Sequence, residues 1–227
     1  LIVIILGGAT YLVFFSKLLD IKRVEVTGYS HPEVIEEIAK DQMEKSFFSS
    51  NVLFFSTSNL TSTLSGEPKI KKVRVRKILP QKIIISIDEA KGSIIWSSVG
   101  DKFLISEGGV VMEPAREENL PIVFDAANIK VTPGEKVASP TFINFINTIN
   151  EKFQPVTGEE IQKIIIFDIL SDVHVLAKSG WTVYFNSNKD PETQLKNLAR
   201  ILEEARKGGQ TKLQYIDMRI EDRIFYK

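Results

Sequence analysis

The chain has 227 residues, and its 29 Lys plus Arg are balanced by 29 Asp plus Glu; 43% of it is hydrophobic and 26% charged. That composition supports a sizeable core, is too apolar for a disordered chain, and lacks the positive excess of a general nucleic-acid binder. The absence of cysteine excludes a disulfide framework, a thiol nucleophile and a thiolate metal site.

The first feature in chain order is the run Leu1 to Phe15, which carries no charge before Lys17. A membrane span needs about 20 apolar residues, so residues 1–19 read as a transmembrane anchor truncated at its N-terminus. The other readings are a signal-peptide core and a buried helix. The bulky exit Val13-Phe14-Phe15-Ser16-Lys17 lacks the small-x-small pattern of a cleaved signal and favours an uncleaved anchor. Lys17, Lys22 and Arg23 follow the run, and local positive charge favours the cytoplasmic side; a missing N-terminal tail could outweigh them, so the residues in hand leave orientation open.

Ile21 to Thr27 alternates around Val24 and Val26 and stops at Gly28, a strand. Ser30-His31-Pro32-Glu33 has capping-box spacing and opens a helix whose apolar face is Val34, Ile35, Ile38, Ala39 and Met43. A second short helix, near Ser58 to Ser65, turns Leu60 and Leu64 to one side and is stopped by Gly66 and Pro68. Lys71 to Lys77 places Val73 and Val75 on one strand face and Arg74 and Arg76 on the other; after the Leu79-Pro80-Gln81 turn, Ile83, Ile85 and Ile87 line a return strand. The order is β-α-α-β-β, and it gives way near Glu89-Ala90-Lys91.

The remainder reads as β-rich with two helices. Short strands are expected at 94–96, 103–105 and 110–112, with turns at Val99-Gly100-Asp101 and Glu107-Gly108-Gly109, and another strand from Pro121 to Phe124. Ser139-Pro140 starts a helix bearing Phe142, Ile143, Ile146 and Ile149. Strands follow at 161–170, 173–177 and 181–185. Asp190-Pro191-Glu192 starts the best-patterned helix, with Leu195, Leu198, Ala199, Leu202 and Ala205 as its inner stripe and Gly208-Gly209 as its stop. The chain closes with Leu213 to Arg219, a Glu221-Asp222 turn, and a strand from Arg223 to Lys227.

Chemistry-bearing motifs are sparse. His31 and His174 are far apart in sequence and read as a polar residue beside a helix cap and a strand residue on a solvent face; neither has partners at metal-ligand spacing. The acidic pairs Asp88-Glu89, Glu117-Glu118, Glu159-Glu160, Glu203-Glu204 and Glu221-Asp222 are adjacent in sequence, and neighbours on a strand face opposite ways, so solvated surface is the expected role. There is no nucleophile elbow and no phosphate-cradling glycine loop. Trp96, Trp181, Tyr184 and Phe185 are expected in the core. No catalytic residue, cofactor or metal ligand is assigned; surface and sheet edges remain, the profile of an interaction protein.

Several segments in this order resemble the FtsQ/DivIB family. An apolar anchor is followed by Ile21-Lys-Arg-Val24-Glu-Val26-Thr-Gly28, similar to the first strand of a POTRA domain (the polypeptide-transport-associated module). Then come Asn51-Val-Leu53, the Leu60/Leu64 helix, Pro68 to Arg76, and Leu79-Pro80 leading into Ile83-Ile-Ile85-Ser-Ile87-Asp-Glu89. Trp96, Glu107 to Val111 and Leu120-Pro121 resemble the second, β-rich domain, and Tyr215-Ile-Asp217-Met-Arg219 matches the family's Tyr-x-Asp-x-Arg strand. The chain departs from the family at the turns: Ser106 stands where Asp is frequent, and Phe124 or Asp125 and Asn186 stand where Gly is.

The resemblance implies an α+β protein: a transmembrane helix over 1–19, a POTRA domain over 20–89 and a β domain over 90–227. It implies a non-catalytic scaffold of the bacterial divisome in the inner membrane, its C-terminal bulk extracytoplasmic. Its implied partners are the coiled-coil division proteins FtsB and FtsL, at the division site. An open sheet edge offers unpaired backbone groups to a partner strand, and Arg223, Ile224, Phe225 and Tyr226, with Tyr215, Asp217 and Arg219, are the expected contact residues; Arg74 and Arg76 are a second candidate surface. The alternatives are a POTRA-bearing transport or secretion subunit and an anchored cell-envelope hydrolase.

Overall fold

The computed structural model describes residues 11, 17–45, 48–116, 119–169, 171–209 and 213–219, and the backbone of 225–226. Most of the expected anchor, the Glu117-Glu118 and Glu221-Asp222 pairs, and Arg223 and Ile224 lie outside these residues. Among the described residues no helix is long and apolar enough to cross a membrane. The chain divides into two compact units, Leu1–Ala90 and Lys91–Lys227.

In the first unit a 3-10 turn at Lys17–Leu19 precedes β1 (Arg23–Thr27), α1 (Pro32–Glu44), α2 (Thr57–Ser65), β2 (Ile70–Ile78) and β3 (Lys82–Glu89). The sheet order is β1-β3-β2. The β2–β3 hairpin is antiparallel, whereas β1 lies parallel to β3, with Val24 opposite Ile83 and Val26 opposite Ile85. A parallel pair needs a long crossover, and α1 and α2 supply it. Their inner residues Ile35, Ala39, Leu60 and Leu64 pack with Phe55, Val73, Ile83, Ile85 and Ile87 in one core. Gly28 turns the chain off β1 at φ 79°, and a Cβ there would stand 2.1 Å from the Ile87 carbonyl oxygen.

Two details of α1 differ from the sequence reading. The capping box does not form: His31 is the N-cap residue without a side-chain cap, and Ser30 instead donates from its backbone N–H (2.9 Å) and hydroxyl (2.7 Å) to Glu89. A tertiary acceptor wins over the local one, and Glu89 is a tie between β3 and the start of α1 rather than idle surface. Val34, expected inside, is 46% exposed.

The second unit contains β4 (Gly92–Ser98), β5 (Asp101–Ser106), β6 (Val111–Pro114), β7 (Ile122–Asp125), α3 (Pro140–Thr157), β8 (Ile161–Asp168), β9 (Asp172–Ala177), β10 (Thr182–Phe185), α4 (Pro191–Lys207), β11 (Tyr215–Asp217) and β12 (Phe225–Tyr226). They form one nine-stranded sheet in the order β12-β11-β10-β9-β8-β7-β4-β5-β6. Three of its pairings are parallel, β4 with β7, β7 with β8, and β10 with β11; the last two are bridged by α3 and α4. Alternate strand residues Ile164, Val173, Val175, Val183 and Ile216 join Phe142, Phe145, Ile146, Ile149, Phe153, Leu195, Leu198 and Leu202 of the helices in a single core. Ser139 and Asp190 cap α3 and α4 by accepting the Phe142 and Thr193 N–H groups at 3.1 and 2.7 Å.

Three expectations for this unit are corrected. Ala199 is exposed, while Ile201 and Gln194 fill the inner face of α4; the Gln194 amide donates to the Asn186 and Lys189 carbonyls and its oxygen accepts from the Asn186 N–H. The third short strand starts at Val111, because Val110 bridges to Lys136 of the loop before α3. Glu159, expected as solvated surface, is half-buried and accepts from the Trp181 indole N–H at 3.1 Å.

Candidate functional site

The expected contact residues fall at one margin of the second unit's sheet. There β12 is the last strand, pairing with β11 so that Phe225 stands opposite Asp217 and Tyr226 opposite Ile216; it has no second neighbour among the described residues. A strand in that position leaves one row of backbone N–H and C=O groups for an added strand. Behind it, β11 lies parallel to β10 with Tyr184 opposite Asp217.

Period-2 alternation puts Ile216 in the core and Tyr215 and Asp217 on the opposite face. On that face the register aligns one row across the sheet: Phe124, Ile165, His174, Tyr184, Asp217 and, by backbone position, Phe225. Rings run along it. Phe167 and His174 are 4.4 Å apart, His174 and Tyr184 4.2 Å, and Tyr184 and Tyr215 5.6 Å with nearly parallel planes. Tyr184, expected in the core with Phe185, is therefore on the outer face. Trp96, Trp181 and Phe185 are buried as expected.

Arg219 fastens this face to the end of β11. Its Nε and Nη2 donate to both oxygens of Asp217 at 2.9 and 2.6 Å, and Nη1 donates to Asp172 at 2.9 Å. Asp172 also meets His174 Nε2 at 2.9 Å. The Arg219 backbone N–H bonds Asp217 at 3.0 Å, the Met218 N–H reaches the Tyr184 carbonyl at 2.8 Å, and the guanidinium lies 5.0 Å from the Tyr184 ring. A bidentate Arg–carboxylate pair is geometrically specific, so this cluster holds the strand that carries the margin in one position.

Burial pushes the Asp217 carboxyl up, but the Arg219 hydrogen bonds and charge outweigh it and hold Asp217 below the ordinary carboxylate range. The Arg219 guanidinium is raised above its usual value, chiefly by the bond to Asp217. A depressed acid stabilises the fold above its unfolded pKa, and the contribution disappears as pH falls through the folded value. Asp217→Asn should therefore lower stability at pH 7 by about 1–2 kcal/mol, discounted because Arg219 is partly exposed. As the pH is taken down through the lowered Asp217 value, the wild type and the variant should converge. Urea midpoints at pH 7 and in acid check this; an equal gap at both would contradict it.

Tyr215, Asp217 and Arg219 are thus brought together, joined by Phe167, Asp172, His174 and Tyr184, which the sequence reading left out of the site. The backbone of Phe225 and Tyr226 is in β12, and Arg223 and Ile224 lie outside the described residues. Arg74 and Arg76 sit in the first unit, exposed on β2 at a sheet edge. A cleft beside the start of α3, lined by Lys136, Ser139, Phe142, Ile169, Ser187 and Asn188 among others, contains no acid and no histidine. Among the described residues no group of three His, Cys, Asp or Glu is placed to hold a metal.

Comparison with known proteins agrees with this architecture. Residues 94–219 match the family model for the C-terminal region of the cell division protein FtsQ/DivIB, and residues 19–90 match that for the FtsQ-type POTRA domain. The chain is similar to the cell division protein DivIB of Clostridium botulinum, with 22% identity over 218 residues, covering 91% of this chain and 81% of that protein.

Proposed function

The chain belongs to the FtsQ/DivIB family of cell-division proteins, and from that premise we propose that it is a non-catalytic, membrane-anchored scaffold that links other division proteins through strand addition at the β12 margin. The observation that carries the proposal is the sheet order itself. The final described strand is two residues long, is paired on one side, and is backed by a side-chain cluster that fixes β11. A strand paired on one side leaves a row of backbone groups for a second partner.

On this reading Arg223, Ile224, Phe225 and Tyr226 form the contact strand, and Tyr215, Asp217 and Arg219 shape the face beside it. Arg74 and Arg76 offer a second surface on the edge strand β2. The partners are small membrane-bound coiled-coil proteins of the FtsB and FtsL type, met at the division site. Residues 1–19 tether the chain to the inner membrane, with a POTRA domain over 20–89 and a β domain over 90–227 extracytoplasmic. The chain needs no cofactor or metal for this role.

Affinity isolation of the full-length protein from its native membrane tests the proposal. Small single-span coiled-coil division proteins should co-purify. Recovery of a barrel or a secretion complex in their place would reject it.

A further inference from the structure

One end of the first unit carries several large apolar side chains that are exposed to solvent. Leu18 of the 3-10 turn, Phe48, Leu53 and Phe54 of the loop before α2, and Ile78 and Leu79 at the β2–β3 turn are each more than 40% exposed, Leu18 and Leu79 more than 60%. Large apolar side chains scattered singly are ordinary, but a cluster marks a contact.

These residues come from three segments tied to one another by hydrogen bonds. The Val52 N–H donates to the Leu19 carbonyl and the Ile21 N–H to the Ser50 carbonyl, both at 2.8 Å, joining the loop to the chain entering β1. The Lys22 N–H bonds the Gln81 carbonyl at 2.9 Å, and the Gln81 side chain returns to the Lys17 carbonyl at 3.2 Å, joining the β2–β3 turn to the same segment. Lys77 Nζ closes the ring by donating to the Leu53 carbonyl at 2.8 Å. The Phe48 and Phe54 rings meet edge to face at 5.8 Å.

The position of this end identifies its occupant. The uncharged run Leu1 to Phe15 precedes Lys17 in the sequence, and Leu79 is two residues from Gln81, whose side chain is bonded to the Lys17 carbonyl. The segment that carries Leu18 also carries Lys17, Lys22 and Arg23, all exposed. Of the acids in that stretch, Asp20 is half-buried in a backbone bridge to Asn51, and Glu25 is paired with Lys82. Exposed apolar side chains together with long cations match a bilayer interface, where the former enter the acyl boundary and the latter reach lipid phosphates.

We propose that this end of the POTRA unit rests in the membrane interface, with Leu18, Leu53, Phe54, Ile78 and Leu79 in the acyl boundary and Lys17, Lys22 and Arg23 on anionic headgroups. The proposal rests on the anchored reading above and goes beyond it: the folded unit, as well as its tether, contacts lipid. That contact would hold the unit's orientation to the bilayer.

The absence of native cysteine allows single labels. The full chain is reconstituted, without other proteins, into vesicles of equal parts phosphatidylcholine and phosphatidylglycerol carrying shallow nitroxide quenchers. An environment-sensitive fluorophore is placed at Leu53→Cys, Leu79→Cys, Thr63→Cys on the exposed side of α2, or Tyr11→Cys in the tether. Labels at 53 and 79 should be quenched at least about twofold more than the label at 63, because interfacial side chains sit several Å into the headgroup region. Quenching at 11 with none at 53 and 79 would overturn the proposal and leave the anchor standing, the outcome expected if the patch serves a protein partner. No quenching at any of 11, 53 and 79 would remove the anchor as well.

Discussion

Replacing Ile224 by proline is expected to reduce recovery of partner proteins at least about tenfold, while leaving the thermal transition of the protein nearly unchanged. Residue 224 lies outside the described residues, but the backbone of the two residues after it is placed. Phe225 and Tyr226 are extended and paired with Asp217 and Ile216, so a strand added on the open side would run past position 224. Proline removes a donor N–H and fixes φ, and a strand tolerates it poorly where its N–H is used. A tenfold loss corresponds to about 1.4 kcal/mol, the order of one or two backbone hydrogen bonds at their net worth.

The fold should survive because β11 is anchored without help from β12: among the described residues Ile216 and Met218 of the β11 segment lie in the core, and β11 is held by Arg219 and by its own pairing with β10. Ile224→Ala separates backbone from side chain: it keeps the N–H and should bind close to wild type if the ladder carries the contact. Unchanged recovery with the proline variant would reject strand addition at this margin.

Period and spacing in a sequence encode which faces of neighbouring elements meet. Val73 and Val75 opposite Ile87 and Ile85 could be read as a hairpin because period-2 alternation on both sides of Leu79-Pro80 fixes which faces meet. The inner stripe of α4 was equally readable at Leu195, Leu198, Leu202 and Ala205. Ala199 was misplaced because alanine satisfies a helical stripe without requiring burial, and Ile201 took the space.

Register and strand order are a different matter. Nothing local says that β7 slots between β4 and β8 in parallel, because parallel partners are brought together by tertiary packing rather than by a turn. Register is what aligns His174, Tyr184 and Asp217 in one row, so that part of the candidate site was invisible. The spacing of Tyr215 and Asp217, two apart on a strand, did carry the signal that they share a face. The reach of Arg219 back to Asp172 did not, since it depends on the chain leaving the strand after Asp217. The Ser30 capping box failed for a related reason: the motif counts only local partners, and Glu89, 59 residues away, offered a better one.

The second large effect is on stability, at Gly109. Gly109→Ala should destabilise the protein by more than about 3 kcal/mol, against about 1 kcal/mol for Gly100→Ala. Both glycines have positive φ, 79° and 86°, so both substitutions incur the left-handed penalty of a Cβ. At Gly100 a Cβ would meet nothing within 4 Å; at Gly109 it would stand 2.0 Å from the Ala138 carbonyl oxygen and 2.6 Å from its carbon. Both atoms are backbone, so relief requires the chain to move. That chain is the loop from Val131 to Ala138, held by Val137 and Ala138 N–H bonds to the Gly109 carbonyl at 2.9 and 3.3 Å and by two 2.8 Å bonds between Val111 and residues 134–135. Displacing it would uncover Val131 and Ala138, both in the main core, and disturb Ser139, which caps α3. The two variants thus share one cost, and their difference in urea midpoint isolates the close approach. Equal midpoints would mean that the loop before α3 is free to give way, and that the seating of α3 owes nothing to the turn at Gly109.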